Sequence, residues 1–198
     1  MRCGKFLAAF GLLVAMCLPA HAQKTAPKFE LAGTYAYLRL NVKGPNWSEG
    51  LQTNGGTGSL TYNLTNAVGI VGEIGGYKTS TISSAGGQDF TFVSYLFGPR
   101  YSFRKWDTLT PYIQTLFGGV KGNNELYLGG NTSNPLIRTN TNAFAWTVGG
   151  GLDASVTRHL AVRVFQAEYF MTDWKNFGVG HQNSFRIETG LVWRFGKR

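Results

Sequence analysis

Near the end of the chain, His181, Ser184 and Glu188 provide the side-chain types of a nucleophilic catalytic triad. In such a triad the histidine takes a proton from the serine hydroxyl and the carboxylate orients the imidazole, which would suit hydrolysis of a lipid ester. Glu188, however, falls on the inward face of a predicted strand, one strand step away. No neighbouring loop supplies a recognisable oxyanion hole, so we predict no catalytic residue.

Other residue types that could bind a cofactor or a metal are poorly placed. His159 and His181 fall at opposite ends of the predicted fold, which makes a two-histidine metal site improbable. The glycine-rich stretches at 55–58 and 118–122 lack the Gly-Lys-Ser/Thr ending of a phosphate-binding loop. We therefore predict no cofactor and no metal.

Residues 1–22 carry the pattern of a secretory signal peptide. Arg2 and Lys5 form a basic start, residues 6–18 are almost entirely apolar, and Ala20-His21-Ala22 matches an A-x-A cleavage site. The apolar run is shorter than the roughly 20 residues that a membrane-spanning helix needs. We expect cleavage near Ala22, which leaves residues 23–198 as one exported domain without cysteine; a lipoprotein-type cut before Cys17 is the less favoured alternative.

The positive charge of the chain is spread along the sequence. Of 19 basic residues, loss of Arg2 and Lys5 leaves 17 against 10 acidic residues, a net charge of +7. A nucleic-acid-binding surface would require these charges to be clustered on one face. We therefore expect no nucleic-acid partner.

Beyond residue 22 the sequence alternates between apolar and polar or small residues in stretches of about ten, as in transmembrane strands of roughly 9–11 residues. Thr91–Arg104 is the clearest case, with Val93, Tyr95 and Phe97 on one face and Ser94, Gly98 and Arg100 on the other. The pattern predicts eight strands near Phe29–Leu40, Gly58–Leu64, Val68–Tyr77, Thr91–Arg104, Pro111–Val120, Phe144–Val156, Leu160–Met171 and Phe185–Phe195.

The connections between these strands alternate in length. Residues 41–57, 78–90, 121–142 and 172–184 form four long polar loops, whereas 65–67, 105–109 and 157–159 are short turns. Long loops at one end and short turns at the other are typical of outer-membrane barrels. We predict an all-β, eight-stranded, antiparallel up-and-down transmembrane barrel with a polar interior, four long outer loops and short periplasmic turns.

The charged side chains fall on the face opposite the aromatic ones, which distinguishes this pattern from a soluble barrel with charges outside. An eight-stranded barrel is just wide enough for its own side chains to fill, so inward charges must pair with one another. Glu73 with Arg100, and Glu188 with a neighbouring arginine, are the expected pairs. The predicted interior network comprises Glu73, Arg100, Asp153, Glu168, Arg186, Glu188 and Arg194.

One strand departs from simple alternation. Arg163 and Glu168 have opposite phases and cannot both face inward in an unbroken strand. We favour Glu168 inside and Arg163 near a headgroup rim, with a β-bulge as the alternative.

Aromatic residues on the lipid face are expected to lie at headgroup level, where amphipathic rings are favoured. The predicted belt residues are Tyr35, Tyr37, Tyr62, Tyr101, Trp146, Tyr169 and Trp193. Lys43, Lys78, Lys121, Arg138 and Lys175 lie in or near the loops and could meet lipopolysaccharide phosphates, but scattered solvated charge is the explanation that we favour.

Three segments give the chain a family resemblance: Gly33–Arg39, Phe97–Phe103, and Thr110-Pro111-Tyr112 with Phe117-Gly118-Gly119. They resemble the OmpA-like transmembrane barrels and the OmpX and Ail group of small outer-membrane proteins, over nearly the whole span from Phe29 to Phe195. The resemblance implies a terminal signal for the barrel-assembly machinery, here Trp193 and Phe195, followed by Gly196-Lys197-Arg198. Lipid A deacylases would show a histidine and a serine separated by one residue, whereas this chain has His181-Gln182-Asn183-Ser184.

The leading functional hypothesis is a non-enzymatic barrel in the bacterial outer membrane that displays four loops for surface contact or envelope integrity. Its expected partners are outer-membrane lipid, with lipopolysaccharide as a candidate, and a surface ligand that the sequence does not identify. A narrow channel for ions or small solutes is the first alternative. A lipid A-modifying enzyme is the second.

Overall fold

The computed structural model describes residues 26–44, 47–83, 86–128, 137–173 and 182–196. Eight antiparallel strands pair in chain order and close into a barrel, which confirms the predicted fold class. The predicted signal peptide, residues 1–22, lies outside the described residues. The strands are β1 (Phe29–Gly44), β2 (Trp47–Asn63), β3 (Val68–Ser83), β4 (Gly86–Ser102), β5 (Leu109–Leu128), β6 (Ile137–Ser155), β7 (Leu160–Thr172) and β8 (Gln182–Phe195).

The first and last strands close the barrel. Antiparallel pairing of β1 with β8 runs from Phe29 opposite Phe195 to Leu40 opposite Ser184. The Phe29 and Phe195 rings stack with their centroids 5.5 Å apart at the start of this seam. Closure removes the unpaired edges that an open sheet would present.

The alternation seen in the sequence produces an apolar outer wall. On β4, Val93, Tyr95 and Phe97 are 44%, 51% and 62% exposed, while the intervening Ser94 and Leu96 are buried. Large exposed apolar side chains recur in this way on all eight strands. An apolar outer wall of this kind suits contact with lipid. A closed barrel also pairs the strand backbone internally, as the hydrocarbon layer requires. The described residues contain no helix that is long and apolar enough to cross a membrane.

The two ends of the barrel are built differently. The three short turns are confirmed, and two of them share one chemistry: Thr65 Oγ1 accepts from the Val68 amide at 2.8 Å, and Thr157 Oγ1 accepts from the Leu160 amide at 3.0 Å. We call this end the turn side and the opposite end the loop side.

Three of the predicted long loops are mostly strand. The β1–β2 ladder continues to Gly44 opposite Trp47, and the β3–β4 ladder continues to Ser83 opposite Gly86. The β5–β6 ladder continues to Leu126 opposite Ile137. The prediction that 41–57, 78–90 and 121–142 are loops was therefore wrong. Strands that extend beyond the apolar wall need no apolar face, so their sequence loses the alternation while the backbone ladder persists.

The interior is polar toward the turn side and apolar toward the loop side. We call the apolar part the apolar plug. On each contributing strand that also carries a buried charge, the plug residues lie closer to the loop side than that charge. Val71 is the exception. The plug comprises Ala36, Leu38, Val71, Tyr77, Phe92, Leu96, Leu116, Val120, Ala145 and Phe170.

Candidate functional site

The described residues bury five arginines and five carboxylates inside the barrel or at its turn-side mouth. All seven predicted network residues are among them. The structure adds Glu30, Arg104 and Arg163. We call this set the charge network; its members are Glu30, Glu73, Asp153, Glu168, Glu188, Arg100, Arg104, Arg163, Arg186 and Arg194.

Arg186, on β8, is the centre of the network and is fully buried. Its Nη2 lies 2.7 Å from Glu73 Oε1, and its Nε lies 3.0 Å from Glu188 Oε1. Nε also donates to Glu168 Oε2 at 3.0 Å, and Nη1 donates to the Tyr77 hydroxyl at 2.7 Å. One guanidinium thus joins β8 to β7 and to β3, three strands away around the barrel.

Two of the three carboxylates around Arg186, those of Glu188 and Glu168, are held by further donors. Glu188 Oε2 accepts from the hydroxyls of Thr34 at 3.0 Å and Thr57 at 3.1 Å. Gln114 Nε2 donates to Glu168 Oε1 at 2.7 Å. Glu73, Glu168 and Glu188 each place an oxygen within 4.8 Å of the others, the type of ligand that hard cations prefer. In this barrel the guanidinium of Arg186 supplies the positive charge to them.

Arg163 lies inside the barrel and not at a headgroup rim, so the favoured sequence prediction was wrong and its alternative is correct. Its Nε donates to Asp153 Oδ1 at 3.0 Å, and its Nη1 donates to Gln166 Oε1 at 2.8 Å. The β7–β8 register shifts between Arg163 and Gln166. This bulge reverses the phase of the strand, so that Arg163 and Glu168 both face inward.

Glu73 does not pair with Arg100, contrary to the sequence prediction. The β3–β4 register places Glu73 opposite Leu96, whereas Arg100 lies opposite Gly69. Arg100 instead donates to Gln114 Oε1 from Nε at 2.8 Å and from Nη2 at 2.6 Å. Residue phase was readable from the sequence, but the register between strands was not.

Tyr112 lies between two guanidinium groups. The Cζ atoms of Arg100 and Arg163 are 4.1 Å and 5.0 Å from its ring centroid, within cation–π range. Its hydroxyl donates to Gln166 Oε1 at 2.5 Å. Gly151 makes room for this ring, since a Cβ there would lie 2.6 Å from the Tyr112 hydroxyl. An inward glycine beside an aromatic residue is the sequence signal that could have revealed this arrangement.

At the turn-side mouth, Glu30 forms an ion pair with Arg104 and accepts from Asn63 Nδ2 at 2.9 Å. Arg194 Nη1 donates to Ser155 Oγ at 2.6 Å. Glu30 and Arg104 share the inward phase of their strands, so alternation alone could have added both to the predicted network.

The structure does not assemble the triad considered from the sequence. Ser184 is buried on the inward face of β8, and Glu188 is occupied by Arg186, Thr34 and Thr57. His181 lies outside the described residues. Of the basic residues predicted near the loops, Lys78 and Lys121 are exposed. Lys175, and the side chains of Lys43 and Arg138, are not among the described parts of the structure.

The seven aromatic residues predicted for the belts are on the outer wall. Tyr35, Tyr62, Tyr169 and Trp193 are exposed, and Tyr37, Tyr101 and Trp146 are partly exposed. Trp146 and Tyr169 contact each other with ring centroids 5.8 Å apart, and Tyr62 contacts Phe29 at 5.2 Å.

A closed barrel with an apolar wall and a buried charge network defines a transmembrane β-barrel. The chain belongs to the outer membrane protein beta-barrel domain family, whose model matches residues 8–195. A comparison with curated protein sequences gives no match.

Solved structures share the fold at low sequence identity. Neisserial surface protein A is 18% identical with a TM-score of 0.64, and the match covers 87% of this chain and 100% of that one. Ail, the attachment invasion locus protein of Yersinia pestis, is 17% identical with a TM-score of 0.60, over 86% of this chain and 99% of that one. A second structure of Ail is in complex with the heparin analogue sucrose octasulfate, at 16% identity and a TM-score of 0.57, over 85% of this chain and 99% of that one.

Proposed function

We propose that the protein is a non-conducting, non-enzymatic barrel of the bacterial outer membrane, and that its loop-side end provides surface contact or supports envelope integrity. The observation that carries this proposal is the bracing of the interior by Arg186, which binds Glu73 and Tyr77 on β3 from its place on β8. The apolar plug lies next to this brace on the loop side. An ion would have to displace paired charges and then cross apolar surface, both of which are costly.

The same proposal includes the route and the lipid contacts of the chain. Export would follow cleavage near Ala22, and the assembly machinery would recognise Trp193 and Phe195, both exposed on the outer wall. The aromatic belt residues would anchor the barrel at headgroup level. The turn side, where β1 begins and β8 ends, would then face the periplasm.

We expect the loop side to bind anionic groups at the cell surface. Lys78 and Lys121 are exposed on β3 and β5, on either side of β4. Lipopolysaccharide phosphates or an anionic surface ligand would meet these charges. The complex of Ail with a heparin analogue is consistent with anion contact by a barrel of this fold.

Two alternatives remain as outcomes of the tests. A narrow channel would require the ion pairs of Arg186 to exchange partners and the apolar plug to open. A lipid A-modifying enzyme would require Ser184 to leave the barrel interior, since its hydroxyl is buried there.

The test is to refold residues 23–198 into planar bilayers and to record single-channel current, with folding verified by heat-sensitive gel mobility. We expect a silent barrel. Repeated openings of constant amplitude would overturn the non-conducting proposal. In parallel, lipid A from cells that express the protein is expected to keep its mass, and a new lipid A species would overturn the non-enzymatic proposal.

A further inference from the structure

We propose that the turn-side mouth is a binding site for a small molecule that carries carboxylate or phosphate groups. A cavity of about 880 Å³ opens there, bounded by two of the three turns, near Trp106 and near Arg158, and by the two ends of the barrel chain. Three arginines line it, Arg104, Arg158 and Arg194, together with the exposed indole of Trp106.

Arg194 provides the strongest reason for a ligand. The residue is 7% exposed, yet among the residues that the structure describes its buried Nε and Nη2 atoms have no hydrogen-bond partner. Its Nη1 donates to the neutral hydroxyl of Ser155. Buried guanidinium donors without an acceptor are costly, and a carboxylate or phosphate oxygen matches their fork geometry.

The charge balance at the mouth favours an anion. Glu30, the carboxylate nearest to this arginine across the β1–β8 seam, is engaged by Arg104 and Asn63. The lining residues include one acidic side chain, Asp107, against the three arginines. With Glu30 counted as the partner of Arg104, the formal charge of these side chains is +1.

The inward acidic residue nearest to the cavity on β6 is already paired. Thr110 lines the cavity and lies opposite Asp153 in the β5–β6 ladder. Asp153 forms an ion pair with Arg163, and neither residue lines the cavity. The charged donors available to a molecule in the mouth are therefore those of the lining arginines.

The inference does not depend on the function proposed for the loop side. We would refold residues 23–198 in zwitterionic detergent and titrate separately with inorganic phosphate and with citrate, following the arginine Nε–H resonances by NMR. Assignment uses the loss of one resonance in Arg194→Lys. Saturable movement of the Arg194 resonance is expected with at least one probe, and the probe that binds more tightly distinguishes phosphate from carboxylate recognition.

Variants make the result specific. Arg194→Gln is expected to abolish saturable binding, and Arg194→Lys, which keeps the charge but loses the fork, to weaken it about tenfold, the equivalent of one charge-assisted hydrogen bond. Arg39→Gln, on the exposed face of β1 toward the loop side, is the matched control and should change nothing. If the wild-type resonance moves only linearly with salt, or if Arg39→Gln weakens binding as much as Arg194→Gln, the proposal is wrong. The wild-type titration decides even if Arg194→Gln fails to fold.

Discussion

The turn-side and loop-side parts of the barrel interior fill the same narrow space in two different ways. In the turn-side part, charged groups are held mainly by specific partners, as Arg186 is by Glu73, Glu168 and Glu188. In the loop-side part, rings and aliphatic chains pack against one another, as in the stack of Tyr77 on Phe92 with centroids 4.6 Å apart, and the Tyr77 hydroxyl that accepts from Arg186 joins the two parts. A missing partner leaves a charge stranded in the first part and a void in the second, so the two should fail differently.

The largest effect is expected from Arg186→Leu, which strands three buried carboxylates. Breaking one buried ion pair costs about 3–5 kcal/mol, and here three contacts are lost together. We expect the free energy of unfolding in urea, measured in lipid vesicles, to fall by at least that amount. Adding Glu73→Gln, Glu168→Gln and Glu188→Gln should restore most of it. An unchanged stability of the single variant would contradict the role given to Arg186.

Phe92→Ala probes the apolar plug with a void in place of a stranded charge. Truncation of a buried phenylalanine costs about 3–5 kcal/mol. We expect a loss within this range, because Phe92 is buried in the plug and stacks on Tyr77. Unlike the loss in Arg186→Leu, it should not be rescued by neutralising carboxylates. Such a rescue, seen in the same urea titration, would mean that the two parts are not distinct.

Gly151→Ala tests how tightly the charge network is packed. The new methyl group would lie 2.6 Å from both the Phe165 carbonyl oxygen and the Tyr112 hydroxyl. Overpacking of this kind costs about 1–3 kcal/mol. Gly72→Ala is the matched control, since its Cβ would point outward with no atom within 4 Å. The comparison fails if the two variants unfold at the same urea concentration.

Tyr112→Phe should have the smallest effect in this series. It removes one hydrogen bond to Gln166, whose Oε1 still accepts from Arg163 Nη1. The ring and both cation–π contacts remain. We expect a loss of about 1 kcal/mol in the urea titration, and a loss as large as that of Arg186→Leu would show that the phenol is a central brace.

The sequence was sufficient to predict which face of a strand each residue occupies, but not the register between two neighbouring strands. Alternation identifies the inward face of β4 and therefore the burial of Arg100. It does not show that Arg100 lies opposite Gly69, because sliding one strand past its neighbour by two residues preserves every face. The expected partnership with Glu73 failed for this reason. The sequence showed the bulge in β7 only as a conflict of phase between Arg163 and Glu168. A bulged strand and an unbroken strand with Arg163 at a headgroup rim are compatible with the same sequence.

The seam between β1 and β8 sets an order of events. Arg186 reaches Glu73 only when the final strand docks, because the two lie on β8 and β3 and meet across the lumen. Before docking, the carboxylates face an open trough in which water can solvate them. Closure of the β1–β8 seam and exclusion of water from the interior therefore occur together. A chain without β8 would lack Arg186, and its open, hydrated cleft of unpaired carboxylates would not be stable in lipid.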